Sequence, residues 1–369
     1  MTKSIKLVLL PGDGIGPEVM KQAVAVLELV KRHLKAKDGT EMQWQEALMG
    51  GIAVDQTGSP LPEETLALCR QADAVVLAAV GGPRWDQETH ERRPETGLLA
   101  LRKALGVFAN LRPIRIWPQL ADRSPLRKEV IGQGVDILMF RELTGGLYFG
   151  QPKGRKQLPD GEQEAVDTLS YTGEEIRRIA RLAFQAARRR QGRVSSIDKA
   201  NVLESSRLWR EQVTAVAQDY PDVELDHQLV DSTAMRLVAR PTDYDVLVTE
   251  NMFGDILSDL GGGLAGSLGM LPSASIGEDG PGLYEPVHGS APDIAGQDKA
   301  NPLGLILSIA MMFEQSFAMV DVARAIETSV EQVLEEGLRT ADIANPGDRI
   351  VGTAAMGEAV CKALESRLG

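Results

Sequence analysis

Short aliphatic and β-branched runs alternate along this chain with stretches whose apolar residues recur every three or four positions. Residues 5–10, 42–47 and 74–80 read as strands. The first runs into a turn at Pro11-Gly12-Asp13-Gly14-Ile15-Gly16. Pro17 then suits the opening of a helix whose apolar stripe is Met20, Ala23, Leu27, Val30 and Leu34. Residues 95–105 predict another helix, 108–117 an extended segment broken by Pro113, and 136–140 a strand ending at Arg141. The glycine- and aromatic-rich stretch 145–160 suits a projecting hairpin better than a buried helix. Residues 174–190 predict a helix with its arginines outward. Three further strands follow at 194–198, 224–230 and 245–248. Glycine-rich material at 261–269 precedes late helices at 303–313 and 320–334. Strands alternating with helices place the chain in the α/β class. Ligands gather at strand carboxyl ends in such folds, so Asp198-Lys199, Asp231 and Thr249-Glu250-Asn251 mark where chemistry is expected.

Length and charge narrow the picture. The 369 residues suit two domains, and the net charge of −12 argues against a nucleic-acid or anionic-membrane partner. Two cysteines, Cys69 and Cys361, cannot build a disulfide framework or a thiolate zinc site. No run approaches a membrane span, and the four apolar residues 7–10 are too few for a signal-peptide core, which suggests a cytoplasmic protein. The Gly12–Gly16 pattern is GxGxG rather than GxGxxG, a poor dinucleotide fingerprint, and no phosphate-loop motif occurs.

Several constellations stand out. Asp255 and Asp259 share a face if their segment is helical. With Asp231 they could hold a hard divalent cation, or they could be a solvated helix face. Glu95, Leu98, Leu99 and Arg102 also share a face. That face would fit a ligand with an apolar arm and a carboxylate, or an ordinary amphipathic helix. Arg112 and Arg141 stand on separate elements, where guanidinium forks bind carboxylates or simply make salt bridges. Lys199 and Tyr148 could exchange protons with a ligand. Residues 285–296 form a polar loop with neither strand nor helix pattern, which points to function.

These residues lie in segments that together resemble the isocitrate/isopropylmalate family of β-decarboxylating dehydrogenases. The segments are LPGDGIGPEV at 10–19, RPETGLLALRK at 93–103, FANLRP at 108–113 and RELTGGLYFG at 141–150. DKANVL at 198–203, NMFGDILSD at 251–259, LPSASIG at 271–277 and EPVHGSAPDIAG at 285–296 complete them. The resemblance spans nearly the whole chain. It implies a non-Rossmann, two-domain α/β fold with mixed sheets flanked by helices. Residues 1–107 and 267–369 would form a cofactor-binding domain. Residues 108–266 would form a central substrate and dimerisation domain, with an arm near 145–165. The implied activity is NAD-dependent oxidation and decarboxylation of a malate-type substrate with Mg²⁺ or Mn²⁺. The substrate expected for the Leu98-Leu99 pair is 3-isopropylmalate, a leucine precursor; homoisocitrate, isocitrate, tartrate and D-malate are the rivals. Arg102, Arg112 and Arg141 resemble the carboxylate clamp, Asp231, Asp255 and Asp259 the metal ligands, and Asp231 also a substrate contact. Lys199 resembles the general base and Tyr148 the acid. Ile15, Glu95, Asn201, Glu285, His288, Gly289, Ser290, Ala291, Asp293 and Asn301 resemble cofactor contacts, with Asp293 at the ribose. Lys199, Asn201 and Asp231 would reach in from a second subunit, so the site would need a homodimer.

Overall fold

The computed structural model describes residues 4–368. Its strands are β1 (Ser4–Gly12), β2 (Glu41–Glu46), β3 (Ala74–Ala79), β4 (Ala109–Ile116), β5 (Val135–Glu142), β6 (Gly150–Gln157), β7 (Gln163–Thr168), β8 (Arg193–Asp198), β9 (Glu224–Leu229), β10 (Val246–Thr249), β11 (Pro272–Ile276) and β12 (Gly282–Pro286). Its helices are α1 (Gly16–Asp38), α2 (Gly51–Thr57), α3 (Glu63–Gln71), α4 (Pro94–Leu105), α5 (Lys128–Ile131), α6 (Gly173–Arg188), α7 (Glu204–Ala217), α8 (Val230–Ala239), α9 (Asn251–Ala265), α10 (Leu303–Gln315), α11 (Val320–Glu335) and α12 (Thr353–Leu368).

The chain divides into two compact units. One holds the described part of Met1–Val107, Trp117–Pro125 and Ala265–Gly369; the other holds Phe108–Ile116 and Leu126–Leu264. In the first, the strand order is β2-β1-β3-β12-β11, parallel except for the antiparallel pair of β11 with β12. In the second it is β4-β5-β10-β8-β9, parallel except for β4 against β5. Both are mixed sheets, and neither has the Rossmann order. β3 is buried along its whole length, as a parallel strand covered on both faces should be, and it reads as the unbroken run AVVLAA. The apolar stripe of α1 is buried throughout, and the helix ends at Gly39 in the left-handed conformation. β6 and β7 pair into a mostly exposed hairpin.

Four local expectations change. β1 continues through Pro11-Gly12, because Gly12 still pairs with Ala79 of β3. At φ +66° only a glycine fits there, with the Ala79 carbonyl oxygen 1.9 Å from where a Cβ would stand. Gly261 to Gly263 lie inside α9. A Cβ on Gly261 would come within 2.4 Å of Ile114, so close packing on β4 explains a helical glycine. Arg178 of α6 is half-buried instead of turned outward, because it pairs with the fully buried Glu142 at 3.1 Å. Glu285 and Pro286 belong to strand β12 rather than to an irregular loop.

Candidate active site

The second unit gathers its charge at the carboxyl end of its parallel strands. β5 delivers Arg141 and β10 leads into α9, whose first residue is Asn251. Asn251, Asp255 and Asp259 follow at four-residue intervals and so share one helix face. Arg141 is buried, and its guanidinium grips the Asn251 side-chain oxygen at 3.1 and 2.9 Å and ion-pairs with Asp255. Arg112 of β4 lies 2.6 Å from the Ser258 hydroxyl and 3.3 Å from Asp259, and its Nε reaches Asn110 two residues back at 2.7 Å. Tyr148 sits on a short 3-10 turn after β5 and donates to Asp255 at 2.9 Å. Burial, followed by the Asp255 carboxylate, raises its phenol above the ordinary value.

Lys199 and Asp231 form a separate pair. Lys199 follows β8, and its ammonium donates to Asp231 at 2.6 Å. That bond is the leading cause holding the Asp231 carboxyl below its ordinary range. Asp231 is the second residue of α8 rather than a strand terminus. Asn201 is exposed in the turn leading to α7. Among the described residues no three His, Cys, Asp or Glu side chains come together as a metal cluster. One chain therefore does not bring Asp231 to Asp255 and Asp259, contrary to the three-carboxylate reading of a single subunit. Asp255 and Asp259 do present hard oxygen donors on one face, the donor chemistry that Mg²⁺ or Mn²⁺ takes.

Apart from Asn201, the expected cofactor residues fall in the first unit, where backbone dominates. Asp13 is buried, and its carboxylate accepts the Gly51 and Gly81 amides on one oxygen at 2.7 and 2.8 Å and the Ile52 amide on the other at 2.8 Å. Ile15 donates its amide to the Ser290 carbonyl at 2.8 Å. A Cβ on Gly14 would stand 2.0 Å from that same oxygen, so two loops meet backbone to backbone. Ala291 follows at φ +37°. His288 bonds the Gly289 carbonyl through Nδ1, and its Nε2 is buried without a partner among the described residues. Burial pushes this imidazole below its ordinary pKa, so it is a neutral ring with one nitrogen to offer. Gly289 and the Asp293 side chain are exposed. A backbone cradle with an orphaned ring nitrogen and an exposed carboxylate fits a nucleotide.

Three further expected ligand contacts, Asn301, Arg102 and Glu285, are already engaged within the protein. Asn301 is buried, receives the Leu303 amide at the start of α10 and donates to Asp342 at 3.0 Å. Arg102 ion-pairs with Glu285. On the helix that carries Arg102, Leu98 is half-buried, Leu99 is 41% exposed and Glu95 is exposed. Asn251 is marked by the sequence only as part of a strand end, and Asp13 and Glu142 are not marked as site residues at all. The four-residue step that linked Asp255 to Asp259 also reaches Asn251. Asp13 and Glu142 act through backbone amides, and nothing in the residue pattern marks that.

Comparison with known proteins bears on this geometry. The isocitrate/isopropylmalate dehydrogenase family matches residues 6–360. The chain belongs to that family. Among its relatives in the family is a 3-isopropylmalate dehydrogenase from Synechocystis sp., 56% identical over 99% of each chain. Another, from Anaeromyxobacter dehalogenans, is 58% identical over 97% of this chain and 99% of that one. In structure the family fold is shared with an isocitrate dehydrogenase from Methylococcus capsulatus. The TM-score is 0.84 at 37% identity, covering 98% of this chain and 99% of that one. Among the described residues, no helix is long and apolar enough to cross a membrane.

Proposed function

We propose that this enzyme converts 3-isopropylmalate and NAD⁺ to 4-methyl-2-oxopentanoate, CO₂ and NADH, a step of leucine biosynthesis. The observation that carries the mechanism is the meeting of Arg112, Arg141 and Tyr148 on the Asp255–Asp259 face of α9. Two guanidinium groups and a phenol surround carboxylates that would hold a divalent cation. That cation, Mg²⁺ or Mn²⁺, supplies Lewis acidity toward the substrate's C2 oxygen when bound. Arg112 and Arg141 then turn from the aspartates to the substrate carboxylates, where their forks bind two oxygens each. Once Asp231 is engaged elsewhere, the Lys199 ammonium gives up a proton to solvent, and the neutral amine then takes the C2 hydroxyl proton. With the C2 hydrogen gone as hydride, C2 is a ketone β to the C3 carboxylate; loss of CO₂ then leaves an enol, and Tyr148 returns a proton to C3.

Leu98 and Leu99 would face the isopropyl group. Burying three carbons favours binding by roughly 2 kcal/mol. A third carboxylate there, as in isocitrate, would be desolvated without a partner at a cost of several kcal/mol, so rejection exceeds attraction. Asp293 would accept from the ribose hydroxyls of NAD and repel a 2′-phosphate.

The site needs two subunits on this reading. Met235, Ile256 and Val202 are 74, 58 and 62% exposed, and Val238, which shares α8 with Met235, is exposed as well. Large apolar side chains this bare on α8, α9 and the turn before α7 favour a second copy as their cover. The homodimer would act in the cytoplasm. The decisive assay follows NADH with Mg²⁺, offering 3-isopropylmalate, isocitrate, homoisocitrate, D-malate and tartrate side by side. Strong preference in kcat/KM for 3-isopropylmalate is expected. A win for D-malate or tartrate would overturn the substrate assignment.

A further inference from the structure

Tyr148 stands on a turn that has little to hold it of its own. Gly145 is extended, Gly146 is at φ +77°, and the 3-10 turn is three residues long. What fixes it is the layer beneath. Buried Glu142 accepts the Thr144 and Gly145 amides at 3.0 and 2.7 Å and the Thr144 hydroxyl at 2.7 Å. The Gly146 amide donates to the Ser170 carbonyl at 3.1 Å. The ring of the next residue, Tyr171, lies directly under both glycines. A Cβ on Gly145 or on Gly146 would come within 2.5 Å of its atoms.

The Tyr171 hydroxyl makes two further connections. It accepts the Asn251 amide at 3.0 Å, and it hydrogen-bonds the Glu142 side chain. The first bond satisfies one of the donors that α9 leaves free at its N-terminus. The second ties that helix to the carboxylate holding the Tyr148 turn. Asn251 closes the loop, since its side-chain amide donates to the Gly145 carbonyl at 3.3 Å. Trp209 backs the ring edge-on at 5.6 Å. One side chain thus links the turn carrying Tyr148 to the helix carrying Asp255.

We propose that Tyr171 is a positioning residue for the reaction: its hydroxyl sets the Tyr148 turn in register with the Asp255 face of α9. The proposal deepens the reading of Tyr148 as the acid and rests on it. Burial raises the Tyr171 phenol far above its ordinary value, so the hydroxyl keeps its proton through the working range.

Tyr171→Phe keeps the ring under the glycines and removes only the hydroxyl. Its kcat with 3-isopropylmalate is expected to fall roughly tenfold, with KM for substrate and NAD within about twofold of the parent. Turnover in D₂O gives an independent readout. A placed acid delivers deuterium to one face of C3, so the parent product carries a single configuration, and Tyr171→Phe yields a mixture. Gly145→Ala presses on the ring from the other side at a φ open to any residue and should reproduce both effects. Each variant is assayed below its own melting midpoint. A Tyr171→Phe enzyme with parental kcat and a single C3 configuration would overturn the positioning role. So would a loss of kcat that merely tracks the folded fraction. A mixed configuration from the parent itself would overturn the acid assignment of Tyr148, and with it the proposal.

Discussion

The two units carry related five-stranded mixed sheets, yet they prepare for their ligands in opposite ways. In the second unit the proposed working groups are polar and charged side chains on or just beyond regular elements, and they hold one another: Arg141 and Tyr148 on Asp255, Arg112 on Asp259, Lys199 on Asp231. In the first unit the loops meet through backbone. Asp13 collects three amides, Ser290 takes the Ile15 amide, and the side chain nearest in role to a ligand contact, Asp293, stands free in solvent. The contrast matches the tasks proposed for the two units. Proton transfer and charge stabilisation need titratable or cationic groups at fixed points. A dinucleotide is bound by close approach of backbone, which needs small residues and left-handed turns more than charge.

Substitutions should separate the two behaviours. Lys199→Ala is expected to cost about a thousandfold in kcat while NAD affinity by fluorescence titration stays at the parental value. A matching loss of NAD affinity would break the division. Asp13→Asn should act in the opposite sense. The amide offers one acceptor where three backbone donors now converge, so stability should fall by about 1–3 kcal/mol in urea. KM for NAD should rise more than kcat falls. A parental melting curve would show that the three amides find other partners. Asp293→Lys should raise NADP use relative to NAD about tenfold, as the kcat/KM ratio reports, by exchanging repulsion for attraction at one exposed position.

The smallest effect concerns Glu250, just before α9. It is buried and accepts the Phe253 amide at 2.6 Å, and burial raises its carboxyl above the ordinary value. The unfolded chain therefore releases this proton at lower pH than the folded one. Stability should be complete below the ordinary carboxylate range and fall as pH rises through the raised value. Glu250→Gln keeps an acceptor for the amide and removes the charge. It should melt above the parent at pH 8 and close to it at pH 5. A constant offset across that range would contradict the buried-charge account.

Much of this could be read from the residues. The strand and helix pattern rests on local periodicity, so α1, β3 and α10 lie close to their expected limits. Four-residue spacing put Asp255 and Asp259 on one face, and the same step would have found Asn251. What escaped was set by contacts distant in sequence. Gly261 remains helical because Ile114 leaves no room for a Cβ, and Arg178 turns inward because Glu142 is buried beneath it. The pairing of Arg102 with Glu285 joins residues from α4 and β12. Among the described residues Asp231 and the α9 aspartates form no three-group cluster, so a site joining them would not be legible from spacing along one sequence.

Subunit mixing tests the proposed sharing of the site between two chains directly. Lys199→Ala and Asp255→Asn are each expected to be nearly inactive alone. If each site takes Lys199 from one subunit and Asp255 from the other, a mixed dimer has one intact site and one doubly altered site. Co-refolding equal amounts should then restore roughly a quarter of parental NADH formation with 3-isopropylmalate, since half the dimers are mixed and half their sites intact. Activity no higher than the two variants measured apart would mean that each site lies within one chain, and the shared-site mechanism would be wrong.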